Sequence, residues 1–487
     1  MADAADSQAA RERREKHHEA DVVVVGAGVF GCAIAYALAN QGRSVILLER
    51  WMHEPDRIVG ELLQPGGVAA LRELGLGHCL EGIDAVPCYG YHIVYRGDEV
   101  AFRYPSLEKD GEVIVDPAGN REKYKQGLAA FADGHANGQA NGHAKDAGRP
   151  EGRSFHHGRP EPKDKATGKK DPDCFFGHLT VIADGYASIF RKELLGTTPV
   201  VRSKFYALEL IDCPFPPANT GHVVIGDQCL ALLYQIGTHE TRALIDVPND
   251  HPAAAPSAGG ARGYIENIVL PALPPHVQPS VRAALADGRI PRSMPNSWLP
   301  STKQTRHDGV IVVGDAHNMR HPLTGGGMTV AFNDALVLAS LLSPARIPSL
   351  SDHAAVRAAM ASFHWRRKRL TSMINVLAQA LYSLFAADDW QLRALQRGCF
   401  AYFKRGWTDE PVAMLGGVLR RPTTLAYHFF SVAFLAIWLH LLDLCGRSPL
   451  GILMLPLALV QAVLILWKAC VVFLPCICVK YFFYIGL

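Results

Sequence analysis

A turn with the spacing GxGxxG stands near the start of the chain, at residues 26–31. It follows an apolar, β-branched run at 21–25, precedes a helix-like run at 32–40, and is followed by a second strand at 44–48 that ends at Glu49. In a βαβ unit of this kind the glycines bring backbone N–H groups and a helix N-terminus up to a pyrophosphate, and the acid accepts hydrogen bonds from a ribose diol. The pattern therefore predicts a dinucleotide site.

A second glycine-rich turn, at 314–328, follows a short apolar strand at 310–313 and precedes a helical pattern. It contains Asp315 and three consecutive glycines followed by Met328. Glycines leave no side chain in the way of a large flat group, and a helix N-terminus favours a phosphate or a polar ring edge. Alone, this turn is equally consistent with an ordinary strand–helix connection; paired with the first, it predicts the second half of one nucleotide site.

The composition places both turns in a large folded protein. The chain has 487 residues, of which 49% are hydrophobic and 20% charged, enough for two domains. A formal net charge of +3 is too small to predict nucleic-acid binding. The 11 cysteines show no CxxC pair and the first 20 residues lack an apolar core, so we expect reduced thiols, no metal site and no cleaved leader.

The elements that position these turns have their own patterns. Alternation at 88–104 predicts a β-hairpin that turns at 96–98, and strand-like runs between Pro-rich turns at 200–300 predict an antiparallel sheet domain. A further strand ends in Asp184 and a glycine, with Arg191 on the helix that follows. Helical patterns follow the second turn, at 328–343, 352–386 and 389–404, and we interpret the basic residues of the second, His364 and 366–369, as a solvated face.

Two apolar segments near the end of the chain, 425–441 and 450–467, predict membrane association. Each is at the short end of what the hydrocarbon core of a bilayer requires, so crossing the membrane and dipping into one leaflet both stay open. Arg405, Arg420 and Arg421 precede the first segment and predict a cytosolic flank.

Several longer motifs resemble the squalene monooxygenase (squalene epoxidase) family, fungal type, of the class A flavoprotein monooxygenases. They are 55–61 (PDRIVGE), 63–67 (LQPGG), 155–159 (FHHGR), 292–297 (RSMPNS), 318–328 (NMRHPLTGGGM) and 375–382 (NVLAQALY). The resemblance extends over about residues 21–480 and includes the two apolar segments.

The resemblance implies an α/β protein: a Rossmann-like FAD-binding domain with an inserted antiparallel-sheet (α+β) substrate domain and C-terminal membrane-associated helices. It implies FAD-dependent epoxidation of squalene to (S)-2,3-epoxysqualene, with O2 and NADPH-derived electrons, in sterol (ergosterol) biosynthesis. A separate NADPH-dependent diflavin cytochrome reductase would deliver the electrons, which fits a chain with a single GxGxxG. The implied location is the endoplasmic reticulum membrane, catalytic domain on the cytosolic face, with a microsomal or lipid-droplet pool as a variant.

The resemblance also implies functional residues, and it implies no metal-binding residue among them. Tyr91, on the predicted hairpin, matches a tyrosine near the flavin and inhibitor site and would orient flavin and substrate. The residues implied to bind FAD are Gly26, Ala27, Gly28, Val29, Phe30, Gly31, Glu49, Arg50, Arg57, Arg159, Asp184, Asp315, Gly325, Gly326, Gly327 and Met328. A reduced flavin supplies the electrophilic oxygen that no side chain can, so the protein binds, orients and excludes water.

A hydrocarbon substrate calls for an apolar pocket, which leaves no motif. Five residues are candidates for its lining, against the plainer interpretation that they are ordinary core residues: Phe332, Leu377, Leu381, Tyr382 and Phe385.

One departure from the family pattern affects what can be expected of this chain. Arg159 is followed directly by Pro160, where the family has a helix and two strands on the adenine side; proline removes a backbone donor and restricts the residue before it. A defective gene model or splice form and an isoform that binds FAD weakly both stay open. The functional alternatives are another membrane-bound flavoprotein lipid hydroxylase, or a catalytically impaired, FAD-free protein that still binds squalene or sterol.

The domain organisation predicted from these patterns has nine parts. They are a disordered tail at 1–20; FAD-binding parts at 21–87, 174–199 and 301–345; a substrate-domain hairpin at 88–106; a disordered insertion at 107–173 with an FAD-domain island at 152–159; a substrate-binding sheet at 200–300; a helical region at 346–422; and a membrane-associated hairpin at 423–487.

Overall fold

The computed structural model describes residues 18–51, 58–105, 107–109, 112–115, 175–227, 229–286, 288, 291–304, 307–446 and 449–477. The strands are β1 (Glu19–Val25), β2 (Val45–Leu48), β3 (Gly90–Tyr95), β4 (Asp98–Arg103), β5 (Leu107–Lys109), β6 (Glu112–Val115), β7 (Phe176–Ile182), β8 (Val200–Ile211), β9 (Gly221–Ile225), β10 (Leu230–Gln235), β11 (Glu240–Pro248), β12 (Arg292–Trp298) and β13 (Val310–Val312).

The helices are α1 (Val29–Asn40), α2 (Pro65–Glu73), α3 (Arg191–Leu195), α4 (Gly260–Tyr264), α5 (Leu270–Ala272), α6 (Gln278–Leu285), α7 (Gly327–Leu341), α8 (His353–Ala386), α9 (Trp390–Lys404), α10 (Asp409–Leu415), α11 (Pro422–Cys445) and α12 (Leu455–Ile477). A π-helical turn at Ile265–Val269 joins α4 to α5. Short 3-10 turns occupy Gly77–Leu80, Pro252–Ala254, Pro256–Ala258, Gly314–Ala316, Pro322–Thr324 and Pro449–Met454.

A parallel sheet in the order β13-β7-β1-β2 carries both glycine-rich turns at the carboxyl ends of its strands. Buried valines and leucines of β1 and β7 pack against α1, α7 and α8, which is why these apolar runs form the core of the domain. The predicted βαβ unit is confirmed, since β1, α1 and β2 follow the predicted boundaries closely. Ligands of such sheets bind beyond the carboxyl ends of the strands, which is where the two turns lie.

A mixed sheet in the order β12-β8-β11-β10-β9-β3-β4 forms the second layer system. The predicted hairpin is confirmed: β3 and β4 are antiparallel and turn through Arg96 and Gly97, both at positive φ. The predicted antiparallel sheet at 200–300 is confirmed for β8 to β12, and β3 joins it through a parallel pairing with β9. One face is covered by α4, α5 and α6, and the other faces the parallel sheet and the C-terminal helices.

The predicted helices after the second turn are confirmed as α7, α8 and α9. The interpretation of the basic run on α8 as a solvated face is wrong for two of its members. Arg367 is 3% exposed and pairs with Asp334 of α7 at 2.5 Å, and His364 is also buried. The helix turns Arg367 toward α7, because a period of 3.6 residues cannot keep four consecutive residues on one face.

The two apolar helices α11 and α12 form an antiparallel pair that packs against α9. Both are long and apolar enough to cross a membrane by length and composition. The second helix begins at Leu455 and continues through Lys468, whose Nζ lies 2.6 Å from a carboxylate oxygen of Asp389. A row of large apolar side chains is exposed on the pair, namely Tyr427, Phe434, Trp438, Leu442, Leu457, Leu459, Val460, Val463, Leu464 and Trp467.

The prediction of a disordered insertion over 107–173 is wrong at its beginning. There β5 and β6 pair as a short antiparallel hairpin. The rest of that prediction, including the island at 152–159, lies outside the described residues. The predicted disordered tail at 1–20 lies outside them as far as residue 17, and it is wrong at its end, where β1 begins at Glu19 and Ala20 is buried because the strand pairs with β7.

Candidate functional site

A cavity of about 1240 Å³ lies between the two sheets. Its lining comes from both glycine-rich turns on one side and from the inner face of the mixed sheet on the other. The sequence predicted the lining by the two glycine-rich turns. It did not predict that the inner face of the mixed sheet lines the same cavity. The cavity is large enough for a dinucleotide-sized group and an adjoining apolar ligand.

The first turn is held by Glu49 at the end of β2. One carboxylate oxygen of Glu49 accepts the backbone N–H of Ala27 at 2.7 Å, and the other accepts that of Trp51 at 3.0 Å. A side chain at Gly31 would place its Cβ 1.8 Å from the carbonyl oxygen of Gly26, so glycine is required for α1 to pack against the strand end. Gly26, Gly28, Val29, Phe30 and Glu49 line the cavity, whereas Ala27 and Gly31 support the turn from behind.

The second turn is tied to the loop after β7 by Arg191. This buried guanidinium donates hydrogen bonds to the carbonyl oxygens of Asp315, Ala316, Gly185 and Tyr186, at 2.8 to 3.1 Å. Burial lowers the pKa of Arg191. Asp315 is exposed and lines the cavity, so the clamp on its backbone leaves its carboxylate free to meet a ligand.

The three consecutive glycines do different things. Gly325 has a φ of +60° and ends a 3-10 turn, and Gly327 opens α7 with nothing within 4 Å of the place where a Cβ would stand. Both line the cavity together with Met328. Gly326 was predicted to bind the cofactor, but it faces α8, where a Cβ would come within 2.5 Å of Cγ2 of Ile374. Its glycine is required by helix packing rather than by the cavity.

Two further predicted residues line the cavity, and two cannot be placed. Asp184 accepts the backbone N–H of Ile189 at 3.0 Å, and its other oxygen is buried without a partner among the described residues. Arg50 lines the cavity and lies over the ring of Trp51 at 5.0 Å. Arg57 and Arg159 lie outside the described residues.

Tyr91 reaches the cavity from β3 within a buried cluster. The side-chain amide of Gln64 donates to the Tyr91 hydroxyl at 2.6 Å and to the carbonyl oxygen of Thr324 at 2.8 Å. The Tyr104 hydroxyl lies 2.5 Å from the Gln64 carbonyl oxygen and 3.0 Å from the Tyr91 hydroxyl. Burial raises the pKa of Tyr91, so its hydroxyl stays protonated. Gln64 thereby connects the hairpin to the turn that precedes Gly325.

A buried ion pair on the cavity wall was missed from the sequence. Glu61 is 2% exposed and accepts three hydrogen bonds from the guanidinium of Arg242, while the Tyr234 hydroxyl donates to it at 3.1 Å. Arg242, Leu244 and Asp246 alternate along β11 on the inner face. A charged residue at an inward position of an otherwise apolar strand was the available signal.

A second buried polar cluster lies farther along the same face. Asn296 donates to Asp246 at 2.8 Å and to the Ser203 hydroxyl at 2.9 Å, and the Tyr382 hydroxyl reaches Ser203 at 3.1 Å. Burial raises the pKa of Asp246 to about 6. Tyr382 also stacks on His321 with ring centroids 3.7 Å apart, and burial lowers the pKa of His321 to about 3. The cluster fixes α8 and the second turn against the sheet.

Of the five candidates for a pocket lining, Phe332 lines the cavity. The other four pack in hydrophobic clusters with the mixed sheet or the C-terminal helices: Leu377, Leu381, Tyr382 and Phe385. Core packing therefore describes these four, as the plainer interpretation held.

Comparisons with known proteins agree with this architecture. The family model described as squalene epoxidase matches residues 176–459, and that described as FAD dependent oxidoreductase matches 21–53. Squalene epoxidase ERG1 of Gibberella zeae is 57% identical over 507 aligned positions, which cover 96% of this chain and 97% of the relative. Squalene epoxidase erg1 of Aspergillus fumigatus is 46% identical, with 97% and 96% covered.

Among solved structures, Klebsiella pneumoniae HpxO complexed with FAD and uric acid is similar with a TM-score of 0.57, at 19% identity, covering 82% of this chain and 95% of that one. At this identity the likeness shows the fold alone. The fold is thus that of FAD-dependent monooxygenases, with a Rossmann-like domain and an inserted sheet.

The residues present fit FAD. The open position in front of Gly327, the unpartnered Asp184 oxygen and the fixed carboxylate of Glu49 are arranged around one cavity. An oxidised isoalloxazine ring, a ribityl chain and an adenosine would meet backbone, carboxylates and apolar side chains there.

Proposed function

The chain belongs to the squalene epoxidase family, and from this premise we propose how its residues carry out the FAD-dependent epoxidation of squalene. The observation that supports the proposal is the continuity of the cavity: Gly325, Gly327 and Met328 line the same space as the inner face of the mixed sheet. A hydrocarbon bound on that face would place a double bond next to the flavin edge within the same cavity, away from bulk water. FAD, once reduced, supplies the electrophilic oxygen from O2.

FAD would be held by residues of both turns. Gly26, Gly28 and the N-terminus of α1 would meet the pyrophosphate, and Glu49 the adenosine ribose. Asp315 would bind the ribityl or pyrophosphate region, and Gly325, Gly327 and Met328 would line the ring. Arg50 and Asp184 complete the lining, and for Arg57 and Arg159 the same role rests on the family motifs.

Tyr91 would orient flavin and substrate. Its protonated hydroxyl is fixed by Gln64, which also holds the carbonyl oxygen of Thr324. A displacement of the hairpin would therefore be passed to the turn in front of the ring. The apolar residues Leu232, Leu244 and Val223 beside it would exclude water from the double bond.

The C-terminal pair would enter one leaflet rather than cross the membrane. On its inner side it forms polar contacts with the catalytic domain: Arg397 of α9 pairs with Asp443, Lys468 with Asp389 and the His428 ring with Glu410. If α11 and α12 crossed a bilayer, α9 and these charges would lie in hydrocarbon, which costs several kcal/mol per charge. The exposed apolar side of the pair would give squalene, itself a bilayer solute, a short path to the cavity.

Electrons would come from NADPH through a separate diflavin reductase, and the product would be the (S)-2,3-epoxide. The enzyme would work on the cytosolic face of the endoplasmic reticulum, where Arg420 and Arg421 flank the membrane pair. These assignments follow the family.

Purified protein tests the proposal directly. We expect bound FAD, seen as flavin absorbance, and conversion of squalene to its 2,3-epoxide with NADPH, O2 and the reductase. Flavin with no epoxide, but with oxidation of another lipid, would favour a different flavoprotein lipid hydroxylase.

A catalytically impaired isoform is a second candidate, and two observations support it. The alignment with the Gibberella zeae relative has 507 positions, more than the 487 residues of this chain, so that relative has residues with no counterpart here. Among the described residues, no strand pairs with the outer edge of β2. Sequencing the transcript across codons 159–164 and measuring FAD content decide between the explanations. Additional codons in the transcript between these positions favour a gene-model error, and their absence together with a protein that binds no FAD favours the impaired isoform.

A further inference from the structure

Arg320 is a buried cation on the wall of the cavity. It lies on the second turn, is 7% exposed and lines the cavity beside Gly327. Its guanidinium donates to Oδ1 of Asn375 at 2.8 Å, to the backbone and side-chain oxygens of Asn318 at 2.9 and 3.0 Å, and more weakly to the carbonyl oxygen of Gly327 at 3.4 Å. All these acceptors are neutral amide oxygens.

The neighbouring charges do not neutralise it. Arg367, the next arginine in this cluster, donates twice to Asp334 at 2.5 and 2.9 Å, so that carboxylate already has a buried cation. Asp315, whose field also reaches Arg320, is exposed to solvent. Within the described part of the chain, no carboxylate oxygen forms an ion pair with Arg320. This cluster therefore contains two buried arginines and one buried carboxylate, which leaves one excess positive charge.

Such an arrangement is costly unless something compensates it. A buried charge without a counter-ion loses its hydration, and hydrogen bonds to amides replace only part of that. A guanidinium does not escape by losing its proton. The protein therefore keeps a cation at this wall although neutral side chains would fill the same space.

We propose that Arg320 is the cation that stabilises the reduced, anionic form of the bound flavin. This rests on the placement of the flavin ring against 325–328 proposed above. Two electrons and one proton convert the neutral oxidised ring to an anion, and the electrons come from the NADPH-derived donor. The anion would be the missing counter-charge of Arg320, since Gly327 lies beside both. Charge near the ring is a principal means by which a protein sets flavin electronics.

The predicted effect is on the difference between the two redox states. The oxidised ring is neutral and gains little from a nearby cation, whereas the anion gains strongly in a medium of low dielectric constant. Arg320 should therefore raise the midpoint potential of the bound flavin. It should alter the affinity for oxidised FAD far less.

The experiment measures the midpoint potential of holoprotein by dye-equilibrated reductive titration. Asn375→Asp adds a carboxylate next to Arg320 with almost no change of shape, and Arg320→Met removes the cation. Both variants should have a potential lower by 30 mV or more, which corresponds to a tenfold loss in the binding of reduced relative to oxidised flavin. Arg366→Met removes the same charge from the exposed side of α8 and should leave the potential unchanged.

The outcomes separate this inference from the proposed function. An Asn375→Asp holoprotein with bound flavin and an unchanged or raised potential overturns the role of Arg320 and leaves the proposed function intact. Because Asp is nearly isosteric with Asn, this variant decides even if Arg320→Met fails to fold. Wild-type protein that binds no FAD overturns both.

Discussion

The carboxylate of Glu61 and the guanidinium of Arg242 share hydrogen bonds of 2.6, 2.9 and 3.1 Å although 181 residues separate them in the chain. Glu61 belongs to the first FAD-binding part, at 21–87, and Arg242 to the interior strand β11 of the mixed sheet. The pair therefore fixes the distance between the two walls of the cavity.

Loss of one partner should be much more damaging than loss of both. Glu61→Leu leaves the buried Arg242 guanidinium with only the half-exposed Glu209, 3.5 Å away, as a carboxylate partner, and we expect the free energy of unfolding to fall by about 3–5 kcal/mol. The double variant Glu61→Leu with Arg242→Leu should recover most of that, because two apolar side chains can fill the space of a buried ion pair. Urea unfolding of the three proteins measures the coupling.

The exposed pair of Asp308 and Arg357 is the matched control. Both side chains are about half exposed, at 46% and 47%, so Asp308→Leu should change the free energy of unfolding by no more than about 1 kcal/mol. Equal losses at Glu61 and Asp308 would show that burial of the Glu61 pair contributes nothing.

Substitutions at two glycines distinguish an effect on folding stability from an effect on FAD binding. Gly327→Ala places a methyl group in open space at the start of α7, so apoprotein stability should be unchanged or slightly higher, whereas FAD affinity should fall at least tenfold if the ring contacts this position. Gly31→Ala places its Cβ against the carbonyl oxygen of Gly26 and should destabilise apoprotein and holoprotein alike. Thermal unfolding with and without FAD, together with FAD titration, measures both. If Gly327→Ala bound FAD with wild-type affinity, the flavin ring would not contact this position.

The sequence was sufficient where the signal was local. The strands beside both glycine-rich turns, the hairpin at 88–104 and the helices after residue 327 were all predicted, because apolar periodicity and glycine spacing are set within a few residues. It failed where the deciding contact is distant in the chain. Nothing near Arg367 marks it as buried; its partner Asp334 lies on another helix.

The candidate site divides in the same way. Glu49 and Gly327 were identified from motifs, but the role of Gly326 depends on Ile374 of α8, and the pair of Glu61 and Arg242 depends on how two sheets are placed. Motif spacing predicts the local backbone conformation of a site. Side chains that line the cavity from another domain have a weaker signal in the sequence: a polar residue at a position where the strand pattern predicts an apolar one.

Asp246 should make stability depend on pH. Burial raises the pKa of its carboxyl to about 6 in the folded protein, above its value in the unfolded chain, so the folded state favours the protonated form. That contribution is complete below about pH 4 and is lost as the pH rises to about 6. We expect Asp246→Asn, which cannot ionise, to exceed the wild type in stability by about 2–3 kcal/mol above pH 6, with the difference vanishing near pH 4.

Comparison of the two proteins isolates this carboxyl from other groups. Burial lowers the pKa of His317 and His321 to about 3, so protonation of these rings destabilises both proteins equally as the pH falls. Urea unfolding at half-unit steps from pH 4 to pH 8 supplies the curves, with Asp227→Asn as an exposed control. Parallel curves for the wild type and Asp246→Asn would contradict the assignment.

The exposed apolar side of α11 and α12 should decide membrane binding. Val463 is 67% and Phe434 59% exposed, on different helices of the pair. Burial of such a side chain in lipid contributes about 1.5–3 kcal/mol, and an aspartate adds a desolvation cost, so Val463→Asp or Phe434→Asp should each weaken binding to vesicles at least tenfold. Flotation with phosphatidylcholine vesicles measures the partition, and Ile211→Asp, exposed on the substrate sheet, should leave it unchanged.

The same pair distinguishes insertion into one leaflet from crossing. Its two helices are antiparallel, so the connection after Gly446 would reach the lumen if both crossed, and would stay on the cytosolic side if both lie in one leaflet with the ion pairs to α9 intact. An N-glycosylation acceptor on a polar spacer inserted after Gly446 should stay unmodified in microsomes, while the same cassette in a lumenal reporter is glycosylated. A glycan on the inserted acceptor would show that the helices cross, and that α9 does not stay packed against them along their length.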